Sequence, residues 1–206
     1  MNTPMAVAPV TLQGTRTRLE PLDHQHADDL LQAAAHDEIW TYLDEPTPRT
    51  PARITTLIDD AHQDQARGAR LPFAVVDTRT ERAVGSTSYI DIRPHDRGLE
   101  IGWTWLAPAT WGSGINLEAK YLLLQHAFHA LGAIRVAVKT DLRNIRSQRA
   151  ILALGATQEG VWRNHRILSD GHRRSTVYYS ITDTEWPTIE PQLRSRVAHP
   201  RHAPSR

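Results

Sequence analysis

The sequence predicts a single mixed α/β domain, and three observations carry that prediction. Two helical stripes come early, over residues 24–67. A run of strand-like segments joined by short turns follows, over 71–106. A strand, a glycine loop, a helix and another strand then succeed one another over 99–140. The length of 206 residues suits one domain, and 40% hydrophobic with 23% charged residues is enough apolar material for a real core. The domain is expected over 10–193, after a flexible N-terminus of 1–9 and before a basic, disordered tail of 194–206.

The elements follow in order. Val10, Leu12 and Leu19 alternate loosely over 10–21 and predict a first strand. DHQHADDLLQAAAHDEIW places Ala27, Leu30, Leu31 and Ala34 on one helical face. The next helix has Thr50 as N-cap, Pro51 at its first position, a stripe of Ile54, Leu57, Ile58 and Ala61, and Gly68 past its end. LPFAVVD, RAVGSTSYIDI and LEIGWTWL read as a meander of hairpin-linked strands. After the glycine loop, Leu117, Tyr121, Leu124, Phe128 and Leu131 mark a helix closed by Gly132. IRVAVKT is a strand, Asn144 caps a helix that stops at Gly155, and Asp170-Gly171 turns between strands near 157–166 and 173–182.

Composition excludes several classes. A formal charge of +1 is not the balance of a dedicated nucleic-acid binder, although eleven histidines add charge below neutral pH. No cysteine means no disulfide frame, thiolate metal site or Cys nucleophile. The start, MNTPMAVAPV, has neither the basic residues nor the apolar run of a signal peptide. The longest aliphatic run, Leu122–Leu124, is far short of a membrane span, so a cytoplasmic protein without a membrane partner is expected. His126 and His129 share a helical face, but no metal motif surrounds them, and no metal is expected.

TWGSGINLEAK, residues 110–120, is the most informative stretch. In a strand–loop–helix–strand unit the two strands are parallel, and the loop lies where the first strand ends and the helix begins. Free N–H groups and the positive end of the helix dipole meet there and suit an anion, phosphate above all. Gly112 and Gly114 let the backbone wrap closely around it. The loop has no Lys for a nucleotide P-loop and no third glycine for a dinucleotide fingerprint. Glycines that only make a tight strand–helix turn are the alternative.

LEIGWTWLAPATWGSGINLEAK and KTDLRNIRSQRAILALGATQEGVWR together resemble the GCN5-related N-acetyltransferases (GNATs), in particular the RimJ/RimL-type branch. The resemblance covers about 10–182 and is strongest over 99–162. It implies a mixed, mostly antiparallel sheet with central splayed parallel strands, flanked by helices. It also implies acetyl-CoA as co-substrate. The loop of Trp111, Gly112, Ser113, Gly114, Ile115 and Asn116 would cradle its diphosphate, and pantetheine would bond along Thr104, Trp105 and Leu106. Trp111 and Asn116 stand where the family usually has Arg or Gln and Gly or Ala.

The same resemblance implies the chemistry. An acceptor amine attacks the thioester directly, and no enzyme nucleophile is needed. The thiolate partner common in the family, a Tyr seven residues after Asn144, is replaced here by Ile151. RimL-like members place a Ser three residues after that Asn, which is Ser147, so Ser147 is assigned to the thiolate and Asn144 to pantetheine. Against this stands a Ser147 hydroxyl bonded only to its own helix. Glu100 is the candidate base, with a salt bridge as its plain alternative. The carboxylate proposed for RimL-like enzymes falls on Arg166, so His165 is the second candidate. Trp103 and Trp105 alternate with Glu100, Gly102 and Thr104 and are expected on one side of the sheet. Trp40 and Tyr42 are expected to wall the acceptor site.

The leading expectation is therefore transfer of an acetyl group to a primary amine on a protein N-terminus, an amino acid, a polyamine or an antibiotic. A small-molecule or peptide amine is then the partner, with homodimerisation plausible for the family. The competing expectations are a catalytically inactive CoA-binding module and, from Arg194, Arg196, Arg201 and Arg206, a nucleic-acid contact by the tail.

Overall fold

Eight strands form one sheet in the order β1-β2-β3-β4-β5-β6-β8-β7. The computed structural model describes residues 5–199. The strands are β1 (Leu12–Gln13), β2 (Thr17–Pro21), β3 (Arg70–Asp77), β4 (Arg82–Arg93), β5 (Gly98–Leu106), β6 (Arg135–Asp141), β7 (Thr157–Ile167) and β8 (Arg173–Thr182). The helices are α1 (Ala27–Ala33), α2 (Asp37–Trp40), α3 (Pro51–Ala66), α4 (Ile115–Gln125), α5 (Ile145–Leu152) and α6 (Trp186–Ala198). β1 to β5 form an antiparallel meander, and only β5 and β6 run parallel.

The period of two along the strands sorts side chains onto two cores. Leu71, Phe73, Val75, Tyr89, Leu99 and Ile101 face α4 and α6. Ala74, Val76 and Ala83 face α1 to α3. β3 is buried on both faces after Arg70, hence its nearly unbroken apolar sequence. Thr50 caps α3 by accepting from the Arg53 N–H, with Pro51 in the first turn and Gly68 at φ 71° beyond the last. Asn144 caps α5 by accepting the Ser147 N–H at 3.0 Å.

Several expectations need correction. The first strand is two, β1 and β2, folded back at Gly14, where an added Cβ would meet the Glu118 carboxylate at 2.7 Å. The first helix is also two, because the chain leaves helical geometry between Ala34 and His36. Met5 is buried in the larger core and its N–H donates to Pro94, so residues 5–9 are not a loose lead. α6 continues to Ala198, so 194–198 are helical rather than disordered. Its Trp186 and Leu193 are buried, and Trp186 stacks on Phe128 at 5.1 Å. Residues 200–206, including Arg201 and Arg206, lie outside the described residues. Among the described residues no helix is long and apolar enough to cross a membrane.

Candidate active site

The site begins where β5 and β6 part. They pair through Gly98–Arg135, Leu99–Val136 and Glu100–Ala137, and no further. β5 continues to Leu106 and β6 to Asp141, so the backbone groups facing the gap have no strand partner. β5 also carries a bulge. Ser88 pairs Gly102 and Ser86 pairs Trp105, so two residues on β5 face one on β4. Trp103 absorbs the extra residue with φ 49°, a left-handed conformation unusual for a bulky side chain. The bulge resets the alternation. Thr104 then bonds Thr87 at 2.8 Å and Lys120 on the α4 side, while Trp103 and Trp105 turn toward α1 and α3. The two tryptophans therefore share a side, as expected, but it is the side of Glu100 rather than the opposite one.

The glycine loop closes the end of β5. Gly112 and Gly114 have φ of 77° and 93°, and Gly114 is the N-cap of α4. Among the described residues the N–H groups of Gly112, Gly114, Asn116 and Leu117 make no intramolecular hydrogen bond. Ser113 spends its hydroxyl on Thr110 O at 2.6 Å and accepts the Ile115 N–H at 3.3 Å. Ile115 is buried in the core and anchors the start of α4. Trp111 Nε1 donates to Leu106 O at 3.1 Å, and the Arg146 guanidinium lies over the Trp111 ring at 3.4 Å. Free N–H groups at a helix start, left-handed glycines and a parting strand pair fit a CoA diphosphate and an extended pantetheine. Two details differ from expectation. Leu106 O is already taken by the Trp111 indole, and Asn116 Oδ1 is buried without a partner.

The sheet face toward α1 and α3 carries the polar groups beside the gap. Glu100 is buried and forms an ion pair with Lys139 Nζ at 2.8 Å. Burial pushes the Glu100 carboxyl above its usual range, and Lys139 opposes this. Lys139 lies 5.7 Å from the Tyr178 ring, and Tyr178 packs on Trp162 and His165. His165 bonds Thr176 Oγ1 at 3.0 Å through Nδ1. Burial first, then the Lys139 and Arg174 cations, push His165 below its ordinary value, which favours the neutral ring. Ser147 is half-buried, and its hydroxyl makes no hydrogen bond among the described residues. Asn144 uses Oδ1 on the Ser147 N–H, which leaves its amide nitrogen for a ligand.

Trp40 is buried, donates to Ala34 O at 2.8 Å and packs on Trp105 at 5.3 Å. Together with Trp103 they line a cleft of about 240 Å³ between α1, α3 and the sheet. Tyr42 is not in this cleft; its ring sits under Arg143 at 5.7 Å. Three groups escaped sequence reading: Lys139, Arg70 in the cleft, and Lys120. Lys120 is buried on α4, bonds the Thr87 and Thr104 hydroxyls, and is pulled down to about 7 by burial. No spacing rule marks a single Lys or Arg. One group with metal-ligand chemistry also emerges only in three dimensions: His24, Asp59 and His62 bring ligand atoms within 4.8 Å of one another.

The comparisons with known proteins agree with this geometry. The model of the acetyltransferase (GNAT) domain matches residues 16–157. The chain is 24% identical over 172 residues to the uncharacterised N-acetyltransferase YoaA of Bacillus subtilis, covering 82% of this chain and 95% of that one. A GCN5-related N-acetyltransferase from Brucella melitensis superposes with a TM-score of 0.90 at 29% identity, covering 96% of this chain and 90% of the other. RimJ of Mycobacterium smegmatis, solved with CoA-disulfide, shares the fold at 20% identity with a TM-score of 0.79, over 92% and 95% of the two chains. A glycine loop of free N–H groups beside a parting parallel strand pair, in a chain matched by that model over most of its sheet, places this protein in the GNAT family of N-acetyltransferases.

Proposed function

We propose that this enzyme transfers the acetyl group of acetyl-CoA to a primary amine by direct attack, with both substrates bound together. The observation that carries this reading is the β5–β6 gap, with the glycine loop following the end of β5 and a cleft lined by Trp103 and Trp105 of the same strand. The loop N–H groups of Gly112 and Gly114 hold the diphosphate, and the unpaired backbone of β5 at Thr104–Leu106 aligns pantetheine. A backbone N–H of β5 aimed at the thioester oxygen stabilises the charge that develops there, typically by about 3 kcal/mol.

The amine nitrogen forms a bond to the carbonyl carbon, and the carbon–sulfur bond breaks. One proton leaves the nitrogen and one reaches the sulfur. Glu100 receives the first, directly or through a water, and Lys139 keeps its carboxylate charged until then. The unengaged Ser147 hydroxyl donates to the departing thiolate, and Asn144 holds the pantetheine arm with its free amide nitrogen. Trp40, Trp103 and Trp105 wall the acceptor. Tyr42, under Arg143, and His165, packed on Trp162, lie outside that cleft.

The test is CoA thiol release from acetyl-CoA with a chromogenic thiol reagent, across amines and short peptides. The protein has no cysteine and adds no background. Release that depends on one class of amine is the expected result. No release with any acceptor, while acetyl-CoA binds, favours the inactive CoA-binding module over turnover through this site.

A further inference from the structure

The cleft beside β5 contains a cation that no carboxylate of the described residues contacts directly. Arg70 opens β3, and its Nε donates to Ser88 Oγ at 2.8 Å. Its guanidinium carbon lies 5.2 Å from the Trp103 ring centroid. Among the described residues neither of its terminal nitrogens makes a hydrogen bond, and no carboxylate comes within 4 Å. The acids of the same cleft are placed otherwise. Glu45 is tied to Arg53 and Asp64 to Arg67, while Asp60 is exposed on α3. Asp60 and Asp64 act on Arg70 only through space, and burial still pulls it down to about 10, so it remains a cation at neutral pH. Arg70 is only partly buried, and its terminal nitrogens, which bond no group of the described residues, are accessible to a ligand. A guanidinium stacked on an indole, with its outer edge free, presents two parallel donors that match a carboxylate.

We propose that Arg70 binds the carboxylate of the acceptor, so that the enzyme acetylates small amino acids or amino-carboxylates with an apolar or aromatic body. This rests on the transfer reading of the gap given above. Arg70 pairs with Ile90, and Ile90 pairs with Glu100, which places the anchor two strands from the candidate base. At strand spacings near 4.8 Å that is about 10 Å between backbones, a span that the Arg70 side chain and a one-residue acceptor bridge together. Ile90 lies between Arg70 and Glu100 on the same face, while Trp40, Trp103 and Trp105 line the cleft further along β5 and wall the acceptor's body. The cleft volume of about 240 Å³ is smaller than the roughly 300–1,000 Å³ of pockets for drug-sized ligands. It therefore suits a single residue rather than an extended peptide.

The experiment compares acceptors that differ only in the carboxylate: L-phenylalanine against phenethylamine, and L-tryptophan against tryptamine. Each is titrated calorimetrically into the full chain saturated with CoA, for the native protein, Arg70→Met and Arg70→Lys. Acetyl-CoA affinity is measured in parallel on all three. The expected result is that the native protein favours the acid of each pair by about tenfold or more. Arg70→Met then loses that preference, Arg70→Lys keeps part of it, and acetyl-CoA affinity is unchanged. Equal affinity for both members of each pair in the native protein, absence of binding included, overturns the proposal. So does a preference that survives in Arg70→Met. Failure of the native protein to bind acetyl-CoA refutes instead the transfer reading on which the proposal stands.

Discussion

A carboxylate buried beside an ammonium can accept a proton only if its neighbourhood does not hold it fixed in one state. Glu100 meets this condition because burial raises its pKa while Lys139 lowers it. As pH rises through that raised value, Glu100 ionises and the rate climbs; this limb lies above the usual Glu range and below the limb set by the amine. Glu100→Gln should lower kcat by roughly 10²–10⁴-fold and remove the lower limb from the kcat/KM profile. A native profile in that variant returns Glu100 to a purely structural ion pair. Lys120 poses the opposite problem, as a buried amine with two hydroxyls and no acid. Its folded pKa of about 7 lies below the ordinary 10.5. Between those values the unfolded chain holds a proton that the folded chain does not, so stability rises with pH across that window and the full cost applies below it. Lys120→Met should therefore gain most over the native protein at pH 7 and least near pH 10. Urea midpoints at pH 7 and 9.5 check this, and a pH-independent difference contradicts it. Neither Lys120 nor Lys139 as the partner of the salt bridge anticipated for Glu100 was legible in the sequence, because a lone Lys on a helix or strand carries no pattern until the sheet gives it neighbours.

At the scale of the element, local chemistry was legible wherever it is self-contained. Thr50-Pro51 with Gly68 bounded α3, Asn144 capped α5, and Asp170-Gly171 turned β7 into β8 with Gly171 at φ 82°. α6 carries no clear local signal, since Pro191 falls inside it, and what holds it is packing of Trp186 on Phe128. The bulge at Trp103 was missed because one extra residue leaves no mark in a run such as LEIGWTWL. The glycine loop, assigned to the cofactor from the sequence, admits a sharp test. Gly114 is the left-handed cap of α4 and contributes one of the free N–H groups. Gly114→Glu places a side chain in a conformation that disfavours one and a negative charge where the proposed diphosphate site lies. Acetyl-CoA binding should be abolished, with a smaller loss of stability of about 1–3 kcal/mol from the backbone strain. Undiminished binding measured by calorimetry removes the loop from the cofactor site.

Over the whole molecule, α4 connects the cofactor loop to parts of the chain remote in sequence. Its first turn holds the loop, and Glu118 accepts the Thr15 and Arg16 N–H groups at 2.9 and 2.7 Å, tying β1 and β2 to it. Lys120 reaches Thr104 on β5, and Leu123 O accepts from Tyr89 on β4 at 2.6 Å. The order from β3 to β6, though not the place of β8 beside β6, follows from the meander and the β5–β6 crossover, which the sequence made readable. The meeting of Arg70, Glu100 and Lys139 on one face does not, because it depends on which strand lies beside which. Acetyl-CoA that bonds the loop and fills the gap must then stabilise the fold by linkage. At a hundredfold excess over its Kd the gain is about 2.7 kcal/mol. For a chain of this size that corresponds to a rise in Tm of roughly 5–11 °C. Amide exchange should slow over 110–118 and along the gap-facing edges of β5 and β6, and remain unchanged in β3, which already has strands on both sides. A rise in Tm with protection elsewhere would move the cofactor away from the β5–β6 gap, and the absence of any rise would show that acetyl-CoA does not bind there.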